Sequence, residues 1–258
     1  KESIRLELNI SQLEEIIVSP SETAKTIESI HANSYVIEHA TVLQKTAALG
    51  ESDVIKTLDV IPGVQLFRDG STFFNVRGGD RDQNQILIDE APIYNPAHVM
   101  GMFSSIIPES IKDMKMYRGD IPAHLGGRLS SVLDIKTRDG NLQHFSANGS
   151  LGLISARLAL EGPIKKEKSS FFVSGRHSYI QGLIKSSNSD VNQLYFTDFT
   201  AKTNVWINQN NRLFLSTYLG KDEFSTDGGI KWGNKAGTIR WNHIFNNKLF
   251  SNTTFYSS

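Results

Sequence analysis

Gly78-Gly79 and Gly126-Gly127 are the places where this backbone could cradle a phosphate, and 7 histidines and 27 acidic residues are the groups that could bind metal or move protons. None of them is spaced for that chemistry. A phosphate loop needs its glycines set further apart and followed by a lysine, and neither pair fits. The histidines are scattered, with no pair at ligand spacing, so no zinc site is expected. No serine sits in a nucleophile elbow, and the carboxylates are not placed for acid–base work. Arg118-Gly119-Asp120 spells a cell-adhesion tripeptide, a match common by chance. Cysteine is absent, which excludes a disulfide framework and thiolate metal sites. The sequence therefore predicts no catalytic residue, no metal ligand and no cofactor, and a soluble enzyme is the least favoured class. What remains is binding through backbone edges and side-chain faces, so the elements matter more than any single group.

Composition narrows the partners. The chain has 258 residues, 27 basic and 27 acidic, and formal net charge zero. There is no basic stripe with interleaved aromatics, so no nucleic-acid surface is expected. No apolar run approaches the roughly 20 residues of a membrane-spanning helix. Lys1 opens a polar segment without the apolar region of a signal peptide, so the chain is expected to start inside a mature protein.

The rhythm of the sequence changes near Asn141. Before it, short β-prone runs alternate with turn residues. Ile4 to Ile10 alternates apolar and polar residues and reads as the last strand of a preceding β domain, residues 1–12. Leu13, Glu14, Glu15, Ile16, Ile17, Val18 and Ser19, followed by Pro20, form a short acidic-apolar segment: either a linker or a strand that adds to the edge of a partner's sheet. Residues 13–50 are taken as this segment and a partly helical linker. In residues 51–141, Ser52 is placed to cap a helix through Leu58 that ends at Pro62-Gly63. Strands are expected at Val64–Phe67, Phe73–Arg77, Gln85–Asp89, Ile111–Tyr117 and Ser131–Thr137, with a turn at Arg68–Ser71 and a long excursion from Glu90 to Pro108. The sum is an α+β domain with a small mixed sheet.

After Asn141, in residues 142–258, come about six amphipathic runs of roughly ten residues. Ile154, Ala156, Leu158 and Leu160 share a face, opposed to Ser155, Arg157 and Glu161. Phe199, Ala201, Thr203, Val205 and Ile207 oppose Thr200, Lys202, Asn204 and Trp206. Leu213, Leu215 and Leu219 share a face, and Ile239, Trp241 and Phe245 oppose Thr238, Arg240 and Asn242. Gly162–Lys168, Asn208–Asn211 and Asn246–Lys248 read as short turns, and Gln181–Tyr195 and Lys221–Asn234 as long polar loops. Short turns at one end and long loops at the other are the layout of an outer-membrane β-barrel, with the loops extracellular. Phe171, Phe172, Tyr179, Phe196, Trp206 and Phe245 fall where aromatic girdles sit. Antiparallel transmembrane strands this few make an incomplete barrel, because a plugged one needs about twenty-two and open edges are not tolerated in lipid. Further barrel is expected downstream of Ser258.

Two blocks carry a family resemblance. Asn75-Val76-Arg77-Gly78-Gly79, continuing to Asn84-Gln85-Ile86-Leu87-Ile88-Asp89-Glu90-Ala91-Pro92-Ile93-Tyr94-Asn95, resembles the plug domain of TonB-dependent outer-membrane receptors. So does Ile111 to Gly119 with His124-Leu125-Gly126-Gly127-Arg128-Leu129-Ser130-Ser131-Val132-Leu133 and Asp134 to Thr137. The two occur in the right order and distance. The motifs cover residues 13–141, and the strand pattern covers the rest. The wording Gly126 to Leu133 resembles receptors of the Bacteroidetes group, in which an immunoglobulin-like domain often precedes the plug. The chain departs from the pattern at Glu90, where the family usually has glycine after Asp89, and at His124-Leu125, where it usually has a tyrosine before the glycines.

The resemblance implies a Gram-negative outer-membrane receptor that takes up a ligand through a plugged barrel. It places the Ton box, the strand that binds periplasmic TonB, at Leu13–Ser19. It implies that Arg77, Arg118 and Arg128 pair with acidic wall residues, and it marks Gly78, Gly79, Asp89, Gly119, Gly126 and Gly127 as the rest of the plug motif. The implied partners are TonB, outer-membrane lipid, a transported ligand the sequence does not name, and a lipoprotein or other outer-membrane protein. The alternative is a non-transporting scaffold subunit of an outer-membrane complex, with the plug a permanent stopper.

Overall fold

Short β-branched and aromatic runs, separated by glycine and proline, can form only short strands. The computed structural model, which describes residues 34–38, 42, 52–185, 193–225 and 229–258, contains them as β1 (Ser34–Glu38), β2 (Val64–Leu66), β3 (Phe74–Val76), β4 (Asn84–Ile88), β5 (Ala91–Pro92), β6 (Ala97–His98), β7 (Phe103–Ser104), β8 (Ile111–Tyr117) and β9 (Ser131–Thr137). Five of them make one sheet in the order β1-β8-β9-β4-β5. It is mixed: β4 runs parallel to β9, from Asn84 opposite Ser131 to Ile88 opposite Ile135, and the other pairs are antiparallel. The expected strands at Ile111–Tyr117 and Ser131–Thr137 are present with those bounds. β1 is an addition. It lies in the segment the sequence assigned to the linker, yet it pairs along β8.

Asp53, not Ser52, caps the first helical turn. Its Oδ1 accepts the backbone N–H of Ile55 and of Lys56, and the turn is a 3-10 helix, Ile55–Val60, rather than an α-helix. Pro62 and the left-handed Gly63 then end it. The helix presents Ile55 and Leu58 to a core with Val76, Ile111, Met114, Met116, Leu133 and Ile135, all fully buried.

The second layer is a seven-stranded antiparallel sheet in sequence order: β10 (Ser146–Leu151), β11 (Ser155–Lys165), β12 (Ser169–Ser178), β13 (Gln193–Asn208), β14 (Asn211–Ser225), β15 (Gly229–Asn246) and β16 (Leu249–Ser257). A helix, α1 (Ile180–Lys185), follows β12. The sheet is inside-out. Leu158, Leu215, Leu219, Ile239 and Trp241 are exposed on one face, while Arg176, Asp198, Lys202, Asn204 and Asp222 are buried on the other, against the first domain. Tyr218 and Ala236 of this wall belong to the same hydrophobic cluster as the inner domain's core.

Three expectations change. Lys221–Asn234 is not a loop: β14 runs to Ser225 and β15 starts at Gly229, with pairing unbroken from Lys221 opposite Gly233 to Ser225 opposite Gly229. A strand that needs no apolar face leaves no alternation to read. Phe172 and Phe196 are not girdle residues, because strand parity turns both inward, where they are buried. Seven strands stand where about six runs were read, because the short polar β10 carries only weak alternation. The Leu13–Ser19 segment and the strand expected at Ile4–Ile10 lie outside the described residues.

Candidate functional site

The inner domain is fixed to the wall by three polar clusters, each built where a turn or an inward-facing strand position brings charges together. The first forms at the β4–β5 turn and the end of β9. Asp89 accepts the N–H of Thr137 (3.1 Å) at one oxygen and the Thr137 hydroxyl at the other. Lys202, facing inward from β13, donates to Asp89 (3.1 Å) and to the Thr137 carbonyl (2.9 Å), and pairs with Asp139 at 2.9 Å. Asn204 and Ser170 both donate to the Asp139 carbonyl. Burial pushes the Asp139 carboxyl up, but Lys202 and then Lys112 outweigh it and hold it below the usual carboxylate range.

The second cluster uses the next residue. Asp89 and Glu90 are the two central residues of a tight hairpin turn, and both take positive φ, 46° and 74°. Such turns favour glycine at the second position. Glu90 instead sends its carboxylate to the wall: Arg240 of β15 donates at 3.2 Å, and Thr254 of β16 donates its hydroxyl. Lys136 adds a bond from within the inner domain at 3.3 Å. Burial raises the Glu90 carboxyl, and Thr254, Lys136 and Arg240 together bring it below its ordinary value.

The third cluster is the most buried. His98, 2% exposed, stands between two wall carboxylates. Nδ1 is 2.5 Å from Asp222 Oδ2, and Nε2 is 2.8 and 2.9 Å from the two oxygens of Asp198. A neutral imidazole has one N–H, so a ring bonded to carboxylates at both nitrogens is an imidazolium. Burial opposes that charge, but Asp198 and then Asp222 override it and raise the His98 pKa. Arg176 donates twice to Asp198 and once to the Ser104 carbonyl, and Tyr218 bonds Asp198 and the Ser105 carbonyl. Phe196 stacks on the imidazole at 4.5 Å. The loop is strained here: Val99 and Met100 both have positive φ, costly for a β-branched residue. Asp222 Oδ1 holds it by accepting the Val99 N–H. Asp53, whose Oδ2 accepts the Ser104 N–H, ties the same loop to the first helix.

The motif residues are placed as follows. Gly78 and Gly127 take positive φ, and Gly79 is pressed against Ser130, where a Cβ would come within 2.4 Å of its Oγ. Gly126 needs neither freedom, since a Cβ there would meet nothing nearer than 3.5 Å. Arg77 lies in the turn after β3, and Arg118-Gly119 in the bend after β8. Asp89 reaches the wall through Lys202. Arg118 donates to the Pro62 carbonyl inside its own domain, and Arg128 is exposed on an open recess of about 430 Å³ shared with Arg81, Gln85, Tyr94 and Tyr256. Among the described residues, Arg176, Arg240, Arg157 (to Glu109) and Arg138 (to Glu161) bridge the two layers. His98, Glu90 and Lys202 were not singled out by the motif. Inward parity could have exposed Lys202, and the missing turn glycine could have exposed Glu90. Nothing in the excursion from Glu90 to Pro108 marks His98.

Residues 31–131 match the family model of the TonB-dependent Receptor Plug Domain. This part of the chain is similar to the plug domain of TonB-dependent receptors. The plug and the wall together are similar to solved outer-membrane receptors. They include the siderophore receptor PirA from Acinetobacter baumannii (14% identity, TM-score 0.63, covering 87% of this chain and 39% of that one) and the FrpB iron transporter from Neisseria meningitidis (14%, 0.62, 87% and 39%). The copper transporter OprC is also similar (13%, 0.59, 87% and 37%). At these identities the likeness is one of fold. The chain spans about two fifths of the length of the receptors it matches. No curated protein matches it. A small mixed-sheet domain seated against inside-out antiparallel strands is the fold this chain shares with those receptors.

Proposed function

We propose that this chain is the plug and first wall strands of a TonB-dependent transporter that draws a ligand through the outer membrane. The observation that carries the reading is the plug seated against the charged face of a wall whose other face is apolar. In this reading residues 1–12 end a preceding β domain, residues 13–50 hold the Ton box and linker, residues 51–141 make most of the plug, and residues 142–258 begin the barrel. TonB adds a strand to Leu13–Ser19 and pulls. The recess beside Arg81, Tyr94 and Arg128 is the candidate ligand contact on the plug. Similar structures carry the names of siderophore, iron and copper proteins, so the ligand class stays open, and transport rather than catalysis is the activity. The Bacteroidetes assignment rests on the wording of Gly126 to Leu133, and with it a lipoprotein or other outer-membrane partner.

A scaffold reading draws on the density of buried charge that fixes the plug. Deleting Leu13–Ser19 in the full-length protein separates the two. A transporter loses energised uptake while its barrel still inserts. A scaffold has no energised uptake to lose and keeps its assembly after the deletion, so an assembly that persists around a wild type that takes up no ligand removes the transport reading.

A further inference from the structure

The cluster around His98 holds four ionic groups, and one of them can change its charge near neutral pH. The carboxylates of Asp198 and Asp222, the Arg176 guanidinium and the His98 imidazolium are all buried. Two negative and two positive charges cancel while the ring is protonated. The other groups turned toward it from the wall add no charge: Phe196 of β13 stacks on the ring, Tyr218 of β14 gives its hydroxyl to Asp198, and β15 presents Trp232 and Asn234. From the first helix, Asp53 and Lys56 reach the same loop at Ser104 and Met102, and they pair with each other. Carboxylates and guanidiniums stay charged near neutral pH, whereas an imidazole titrates there. Loss of one proton from His98 leaves a net negative charge in a buried seam and removes one of the two ring N–H donors.

The loop beside this ring is strained, and Asp222 holds it. Val99, Met100 and Gly101 take positive φ in succession, 49°, 55° and 98°. A β-branched residue is unfavourable there, and such a backbone persists only while its surroundings over-determine it. One oxygen of Asp222 binds His98 Nδ1, and the other accepts the Val99 N–H at 3.0 Å. The flanks are tied down without the ring: Asn95 by two bonds to Asn234, and Gly101 by the N–H and hydroxyl of Thr72. What depends on the ring is the crest between them, at Val99 and Met100. Asp222 also has somewhere else to turn. Trp232 is its register partner on β15, so the two side chains project to the same face. The indole N–H of Trp232 is buried without a hydrogen-bond partner among the described residues.

We propose that His98 is a proton-operated latch: the imidazolium keeps Asp222 on the loop, and loss of its proton turns Asp222 to Trp232 and lets the Val99–Met100 crest relax. The latch belongs to the seam between loop and wall, so it operates whether or not the protein transports. Hydrogen–deuterium exchange of the full-length protein in mild detergent, corrected for intrinsic rates, tests it between about pH 6 and 10. Burial opposes the charge on His98, but Asp198 and then Asp222 hold its pKa above the ordinary 6.5, so the step is expected above that pH. Protection of residues 97–102 should fall about tenfold through a one-proton step, while β8 and β9 stay protected. His98→Gln, uncharged at every pH, should show the low protection throughout. Asp222→Asn, which keeps an acceptor and loses the charge, should move the step to lower pH. Trp232→Phe, which takes away the alternative donor, should move it to higher pH. Protection of 97–102 that is flat with pH in the wild type overturns the proposal, as does a step that either Asp222→Asn or Trp232→Phe leaves unmoved. The wild-type titration needs no variant, so the test stands even where a substitution fails to insert.

Discussion

His98 is a buried cation whose charge is set by its neighbours, so its removal should be costly in a graded way. His98→Ala leaves Asp222 buried without its partner and exposes the strained Val99–Met100 backbone to relaxation. Breaking a buried pair in this way typically costs about 3–5 kcal/mol, to be measured by urea unfolding of the full-length protein in micelles. The pH dependence has a definite sign. With its folded pKa raised above 6.5, His98 contributes stability that is complete below that value and is lost as pH rises through the folded pKa. Glu90 works in the opposite sense. Its folded pKa lies below 4.5, so its contribution is present above 4.5 and is lost on acidification. Two substitutions separate its bonds from its backbone. Glu90→Gln keeps the positive φ and loses the charge, whereas Glu90→Gly loses both the charge and the strain. The glycine variant should be the more stable of the two by roughly 1–2 kcal/mol, and both should lose the acid-sensitive component of plug unfolding. Equal stabilities would mean that the bonds a glutamine amide keeps to Arg240 and Thr254 match the strain of the turn.

Among the elements, β14 and β15 make the sharpest claim. Amides of Lys221–Ser225 and Gly229–Gly233 should exchange as slowly as those of the strands below them, since the ladder continues through both segments. Rapid exchange there, in hydrogen–deuterium measurements on the full-length protein, would restore the loop that composition suggested. The reason for that misreading is physical. Alternation is visible only where one face is apolar, and Lys221, Glu223, Lys231 and Lys235 share the outward face of these segments. The plug strands were more legible, because Ile111–Tyr117 and Ser131–Thr137 are bounded by proline, glycine and serine and bury most of their length. β1 was not legible: an edge strand of Ser34–Glu38 has no partner pattern of its own, and only β8 defines it. The inward-facing residues of the wall could be read by parity, although what each would touch could not. Lys202 was visible as the polar face of β13, whereas its bonds to Asp89 and Asp139 join residues far apart in sequence.

At the scale of the whole molecule, plug and wall share one hydrophobic cluster and three ionic ones, so apolar and ionic contact together seat the plug. Loosening all three clusters at once, in His98→Ala/Lys202→Ala/Glu90→Gln, should raise the conductance of the full-length protein in planar bilayers above a closed wild type. A triple variant as tight as the wild type would show that apolar contact alone seats the plug. The order of the plug sheet has a mechanical corollary. Among the described residues, β1 is the first strand of the chain within it and sits at its edge, zipped to β8 through five residue pairs, from Ser34–Tyr117 to Glu38–Asp113, while every ionic anchor to the wall comes later, from Asp89 onward. Tension that reaches Ser34 from the N-terminal side is therefore borne first by this short seam. That seam is a fuse: it can peel away residue by residue and shed the load before any of it reaches the anchored remainder.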